Sequence, residues 1–199
     1  ERIHGVAIES ADLHSILDAF APYFEKGQIT YEAFVDGVAY GGREYVEHPE
    51  AFGVPERNVA YVQSTRKPVD DIIAFLSEHE EELDSLDIVA ADTALYQKIE
   101  EQIPLVTKSV YTTSAVSYRL EISHKNSGKA TGLAYVLKLL DITPEETVAF
   151  GDGDNDAEML EFAGLGVAME NATENCKAAA DIVCDCCKND GVARFLYGF

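Results

Sequence analysis

Beyond about residue 122, short apolar runs alternate with helical stretches. The runs are TVAF at 147–150, LGVAM at 165–169 and DIVC at 181–184. An apolar run this short, without polar alternation, reads as a strand covered on both faces. Strand and helix repeating in such short units specify a parallel, doubly wound sheet. The helical stretches carry their own signals. Leu133, Val136, Leu137 and Leu140 form one stripe, and Thr143-Pro144-Glu145-Glu146 is a capping box with proline at the first helical position. A helix reaching Phe162 and Ala163 is expected to stop at Gly164, and two more are expected over 173–180 and 190–198.

The earlier part of the chain follows a different pattern. Leu13, Ile16, Leu17 and Phe20 have amphipathic helical spacing over 10–24. QITYEAFVDGVAYGG alternates and turns at Asp36-Gly37, a hairpin signal. Lys67-Pro68 is expected to open a helix carrying Val69, Ile72, Ile73 and Leu76 on one face. SLDIVAAD reads as a buried strand, 92–102 as a helix, and PLVTKSVYTT and AVSYRLEIS as two further strands. The expected organisation is a hinge strand or linker at 1–9, a mixed α/β domain at 10–121 and half of a doubly wound domain at 122–199. The fold class is α/β.

With 199 residues, 47 % of them apolar, the chain can build real cores. Fifteen basic against 36 acidic side chains leave a net charge of −21, which argues against nucleic acid and anionic membrane as partners. No apolar run has the length of a membrane span. Cys184, Cys186 and Cys187 crowd within four residues, with Cys176 nearby, a poor layout for a disulfide framework. They read as small buried or idle residues in a reduced, cytoplasmic setting. The five histidines show no ligand spacing, and His124 reads as a solvated loop residue.

TVAF runs directly into GDGDNDAEML, where Asp152, Asp154, Asp156 and Glu158 fall within seven residues. In open parallel sheets, ligands sit beyond the carboxyl ends of the strands, which is where Asp152 is placed. Gly151 and Gly153 allow a sharp turn and close approach. Asp154 or Asn155 can cap the next helix. A hard cation relieves the repulsion, and Mg²⁺ typically takes one or two carboxylates plus water and substrate phosphate. A solvated helix N-terminus, which favours acids by itself, is the plain alternative. An EF-hand loop counted from Asp152 needs glycine at its sixth position and glutamate at its twelfth, where this chain has Ala157 and Ala163, so that reading is excluded. Upstream, Lys129 opens a helix behind Ser127-Gly128. A lysine sits poorly against the positive end of a helix dipole unless it shares an anion with that end; the plain alternative is an exposed surface lysine.

GDGDNDAEML, followed by AGLGVAMENA and AADIV, resembles the C-terminal motif of haloacid dehalogenase-like hydrolases, and most closely their Cof-type sugar-phosphate phosphatases. Lys129 in NSGKATGLAYVL matches the family's motif lysine, and DGVARFL at 190–196 is similar to its final helix. Residues 10–121 resemble the large α/β cap of that branch in pattern. The resemblance implies a Mg²⁺-dependent phosphatase of small phosphorylated metabolites that works through an aspartyl-phosphate. It implies that Asp152 binds the metal and that Lys129 holds the phosphoryl group. By the same resemblance Asn155 contacts phosphate, and Asp156 orients Lys129 or a metal-bound water. Lys129, Asp152 and Asp156 are the catalytic candidates.

The family's nucleophile lies on an Asp-x-Asp-Gly-Thr motif that precedes the cap, and no residue here matches it. Val35-Asp36-Gly37-Val38 is a hairpin turn, and Asp152-Gly153-Asp154 lacks the following Gly-Thr. The chain is therefore expected to be inactive as it stands. Lacking that strand, TVAF is expected to keep an unpaired edge that pairs between copies or lowers solubility. The alternatives are a non-catalytic binding or assembly protein that keeps this fold and another phosphotransferase such as a phosphomutase. The cation-pumping ATPases share Gly-Asp-Gly-x-Asn-Asp but need membrane helices.

Overall fold

A computed structural model describes residues 5–198. They divide into two compact units, with the division after Lys125. The expected hinge at 1–9 falls partly on residues 1–4, outside the described residues. Within the described part Ile8 is buried, and its N–H donates to Leu83 O at 2.9 Å.

The first unit contains α1 (Ser10–Phe24), β1 (Ile29–Val35), β2 (Val38–Gly42), α2 (Arg43–Glu47) and α3 (Glu56–Thr65). It continues with β3 (Arg66–Val69), α4 (Ile72–Glu78), β4 (Leu83–Ala90), α5 (Thr93–Val106), β5 (Val110–Val116) and β6 (Arg119–His124). The strands form a six-stranded sheet in the order β3-β2-β1-β4-β6-β5. Only the β2–β3 pair is parallel. The β1–β2 hairpin turns where the sequence indicated. Asp36 (φ 50°) and Gly37 (φ 72°) are both left-handed, a backbone that Asp-Gly adopts at low cost.

Side chains alternate across a strand, so each face of this sheet has its own character. Tyr31, Ala33, Leu86, Ile88, Leu120 and Ile122 point to one face, where they share a core with Leu13, Ile16 and Phe20 of α1 and Ile99 and Ile103 of α5. The opposite face carries charge. Glu32 and Asp87 are 0 % and 2 % exposed. Arg66 donates from Nε and Nη2 to the two oxygens of Glu32 at 3.0 and 2.8 Å, and Tyr45 Oη donates to Oε1 at 2.5 Å. Arg119 bridges Asp87 (3.3 Å), Glu32 (3.7 Å) and Glu121 (2.9 Å). Burial, reinforced by the nearby Glu32, pushes the Asp87 carboxyl well above the ordinary carboxylate range, although Arg119 works against this. Burial and then Glu32 likewise push the Tyr45 phenol upward.

Several expectations need correction. Lys67-Pro68 lies in strand β3, and the helix begins only at Ile72, capped by the Asp71 carboxylate on the N–H groups of Ile73 and Ala74. Proline is tolerated because β3 is an edge strand, where a missing donor costs little. Pro104, Leu105 and Val106, expected to open a strand, finish α5 instead. The buried stripe Tyr96, Ile99 and Ile103 sits at helical spacing and outweighs the proline. Residues 43–65, for which no element was expected, hold α2, a 3₁₀ turn at Pro49–Phe52 and α3. β6 pairs with β5 as far as His124, so residues 122–124 belong to the first unit. His124 is buried, 3.6 Å from the Glu9 carboxylate, and is not a solvated loop histidine.

The second unit contains α6 (Lys129–Leu140), β7 (Val148–Gly151), α7 (Ala157–Phe162), β8 (Leu165–Met169), α8 (Glu174–Ala178), β9 (Ile182–Cys184) and α9 (Gly191–Tyr197). Its three strands are all parallel, in the order β7-β8-β9. Ala149 and Phe150 point to opposite faces. Ala149 packs with Leu160 of α7, and Phe150 meets the ring of Phe195 on α9 edge-on at 5.5 Å. The sheet thus carries helices on both sides, but only β8 is covered on both faces as expected: Val148 on β7 and Ile182 and Val183 on β9 are exposed. The Thr143 box closes only one 3₁₀ turn, Pro144–Glu146, with Thr143 N–H donating to Glu146 Oε2 at 2.9 Å. All four cysteines are free thiols; Cys176 lies in the core, where burial and the surrounding acids push its thiol up. Among the described residues no helix is long and apolar enough to cross a membrane.

Candidate functional site

Parallel strands place their carboxyl ends together, so the loops after β7, β8 and β9 meet on one side of the second unit. The loop after β7 is the acidic one. Gly151 is needed there because a Cβ on it would lie 2.4 Å from the Asp156 Cβ. That close approach lets the Asp156 side chain fold back over the loop. Its Oδ2 accepts the N–H groups of Asp152 (2.9 Å) and Gly153 (3.0 Å), and its Oδ1 is ion-paired with Lys129 Nζ. Asp156 is thus the capping carboxylate of the turn at Asp154–Asp156, a role the sequence left to Asp154 or Asn155.

Asp156 is 6 % exposed at its side chain and Lys129 is 48 % exposed. Partial burial alone would raise the Asp156 carboxyl. The Lys129 ammonium and the two backbone N–H groups outweigh it and hold the carboxyl below the ordinary carboxylate range. Lys129 is the first residue of α6, and its Nζ also lies 3.5 Å from Asn155 Oδ1. Lys129, Asn155 and Asp156 therefore meet, and about half of the Lys129 side chain stays exposed.

Asp152 follows the end of β7 and is exposed; among the described residues no cation pairs with its carboxylate. The loop carries three carboxylates, Asp152, Asp154 and Asp156, of which Asp156 alone is ion-paired with Lys129, so a phosphate dianion would be repelled without a further cation. A hard, exposed oxygen donor of this kind fits Mg²⁺, which readily completes its shell with water and substrate oxygens. The fit covers one ligand: no three His, Cys, Asp or Glu side chains converge as a metal cluster among the described residues.

Two residues went unnoticed in the sequence. Thr173 Oγ1 donates to Asp154 Oδ1 at 2.5 Å, and Thr173 N–H donates to Asp152 O at 3.0 Å. Asn171 Nδ2 lies 3.5 Å from Asp152 Oδ2. The available signal was their position directly after the apolar run LGVAM, at the same carboxyl edge as Asp152.

A family model of haloacid dehalogenase-like hydrolases matches residues 3–196. The chain is 50 % identical over 80 residues to a phosphoglycolate phosphatase of Methanopyrus kandleri, covering 40 % of this chain and 34 % of that protein. It is 30 % identical over 216 residues to phosphatase YwpJ of Bacillus subtilis, covering 97 % of this chain and 72 % of the relative. The solved structure of a haloacid dehalogenase-like hydrolase from B. subtilis superposes with a TM-score of 0.75 at 25 % identity, over 98 % of this chain and 72 % of that one. The chain thus spans about a third of the first of these relatives and under three quarters of the others. The chain belongs to the haloacid dehalogenase-like hydrolases, and its two units fit their Cof-type branch.

Proposed function

We propose that the protein is a Mg²⁺-dependent phosphatase of small phosphorylated metabolites, sugar phosphates by class, working through an aspartyl-phosphate. The observation that carries this reading is the Lys129–Asp156 pair set beside the exposed Asp152 at the carboxyl edge of a parallel sheet. In this reading the second unit is the C-terminal half of the catalytic core and the first is its cap, with the boundary at 125/126 where the sheet ends. Lys129 binds the phosphoryl oxygens and balances their charge, Asn155 contacts them, and Asp156 holds Lys129 in place. Asp152 binds the metal directly. Mg²⁺, when bound, supplies the positive charge that lets an anionic substrate approach three carboxylates.

The attacking aspartate belongs to an Asp-x-Asp-Gly-Thr motif, and these 199 residues contain no such run. By themselves they are therefore proposed to be inactive and to bind Mg²⁺ weakly, with a dissociation constant on the order of millimolar. Titration with Mg²⁺, followed at the amide signals of Gly151 and Gly153, is expected to saturate in that range and to be lost in Asp152→Asn. Tight, stoichiometric binding that Asp152→Asn leaves unchanged would overturn the assignment.

β7 pairs only with β8 among the described residues, and Val148 on it is 44 % exposed. Val136, Leu139 and Leu140 of α6 and Val192 and Leu196 of α9 are exposed as well. We therefore propose that copies of these 199 residues associate through the β7 edge. Charge repulsion opposes this and is screened by salt. Light scattering is expected to read a mass above 21.8 kDa that rises with ionic strength. A monomer at every salt concentration would contradict it.

A further inference from the structure

We propose that Asn171 is a positioning residue for Asp152, and that the loop after β9 sets its aim. The inference rests on the reading of Asp152 as a metal ligand. An asparagine amide can face either way, but here its neighbours fix it. The backbone N–H of Cys187 can only donate, and it lies 3.2 Å from Asn171 Oδ1. The amide NH₂ must then point the other way, toward Asp152 Oδ2 at 3.5 Å. That is a long, weak hydrogen bond, so its contribution is orientation more than stability. It engages one carboxylate oxygen and leaves the other without a protein donor among the described residues.

The same loop also grips the main chain of Asp152. Thr173 N–H binds its carbonyl, and the Thr173 hydroxyl binds the Asp154 carboxylate. Residues after β8 thus hold Asp152 by backbone and side chain, and a residue after β9 locks the amide that does the second. This gives the cysteine-rich segment at 184–187 a role that needs no thiol chemistry: what matters at Cys187 is its N–H.

Partners of this kind usually change metal affinity without changing the fold. Asn171→Ala is expected to weaken Mg²⁺ binding about tenfold in the amide-shift titration. Cys187→Pro removes the N–H together with the thiol, and Cys187→Ala removes the thiol alone. Position 187 is the first residue of a 3₁₀ turn, and Cys186 before it is extended (ψ 164°), so proline fits the backbone. That variant is expected to weaken binding about threefold, as expected for one neutral hydrogen bond. Cys187→Ala keeps the N–H and is expected to match the unaltered protein. Melting temperatures should move little across the set. If Asp152→Asn abolishes binding while Asn171→Ala and Cys187→Pro stay within twofold, the positioning role is refuted and the metal site stands. If Asp152→Asn has no effect, the metal reading fails and this inference with it.

Discussion

Arg66→Met is expected to cost the first unit about 3–5 kcal/mol, a large share of the roughly 5–15 kcal/mol by which domains are ordinarily stable. Arg66 holds both oxygens of Glu32, whose side chain is fully buried, and is itself 3 % exposed. Its guanidinium also lies 5.2 Å from the Tyr61 ring and 5.9 Å from the Phe34 ring. Methionine can replace much of the packing but none of the charge. Glu32 would keep Tyr45 and a distant Arg119 at 3.7 Å, too little to offset its lost hydration. The double variant Glu32→Gln/Arg66→Met removes the stranded charge and is expected to recover most of the loss, because buried pairs are costly mainly when broken on one side. The chain has no tryptophan, so urea unfolding followed by circular dichroism is the suitable readout. A loss under about 1 kcal/mol would show that the pair is as inconsequential as a surface ion pair.

This network shows where the sequence stops being informative. A Glu at position 32 looks like the polar member of an alternating strand; that it is buried follows from α2 folding Tyr45 across that face, and α2 gave no signal of its own. Local patterns read well where they matched the final environment. The stripe Leu13, Ile16 and Phe20 gave α1 over its observed length, Asp36-Gly37 gave the hairpin, and TVAF and LGVAM gave β7 and β8. They failed where tertiary packing overruled local preference, as at Pro104 in α5 and Pro68 on the β3 edge. In the site, the acidic loop and the lysine at the helix start stood out as residue patterns, and the resemblance to the family motif nominated Lys129, Asn155 and Asp156. Their mutual approach, across 26 and 27 residues of sequence, depends on how the second unit folds. Asn171 and Thr173 were missed for a related reason: single polar residues after a strand gain meaning only when the neighbouring loop is seen to be acidic.

The phosphatase reading is tested most directly by Mg²⁺-dependent phosphate release from p-nitrophenyl phosphate and sugar phosphates. The protein to use is one in which an Asp-x-Asp-Gly-Thr segment is placed ahead of residue 1. The expected result is turnover that needs Mg²⁺ and is absent after chelation. Lys129→Ala and Asp152→Asn should each lower it by at least about 10²–10³-fold, the scale on which single electrostatic groups act in such sites. Among the described residues Lys129→Ala removes the ammonium paired with Asp156, and Asp152→Asn removes the exposed carboxylate that directly follows β7. Either variant retaining activity within tenfold of its parent, or robust turnover by the 199 residues alone, would contradict the assignment of this site.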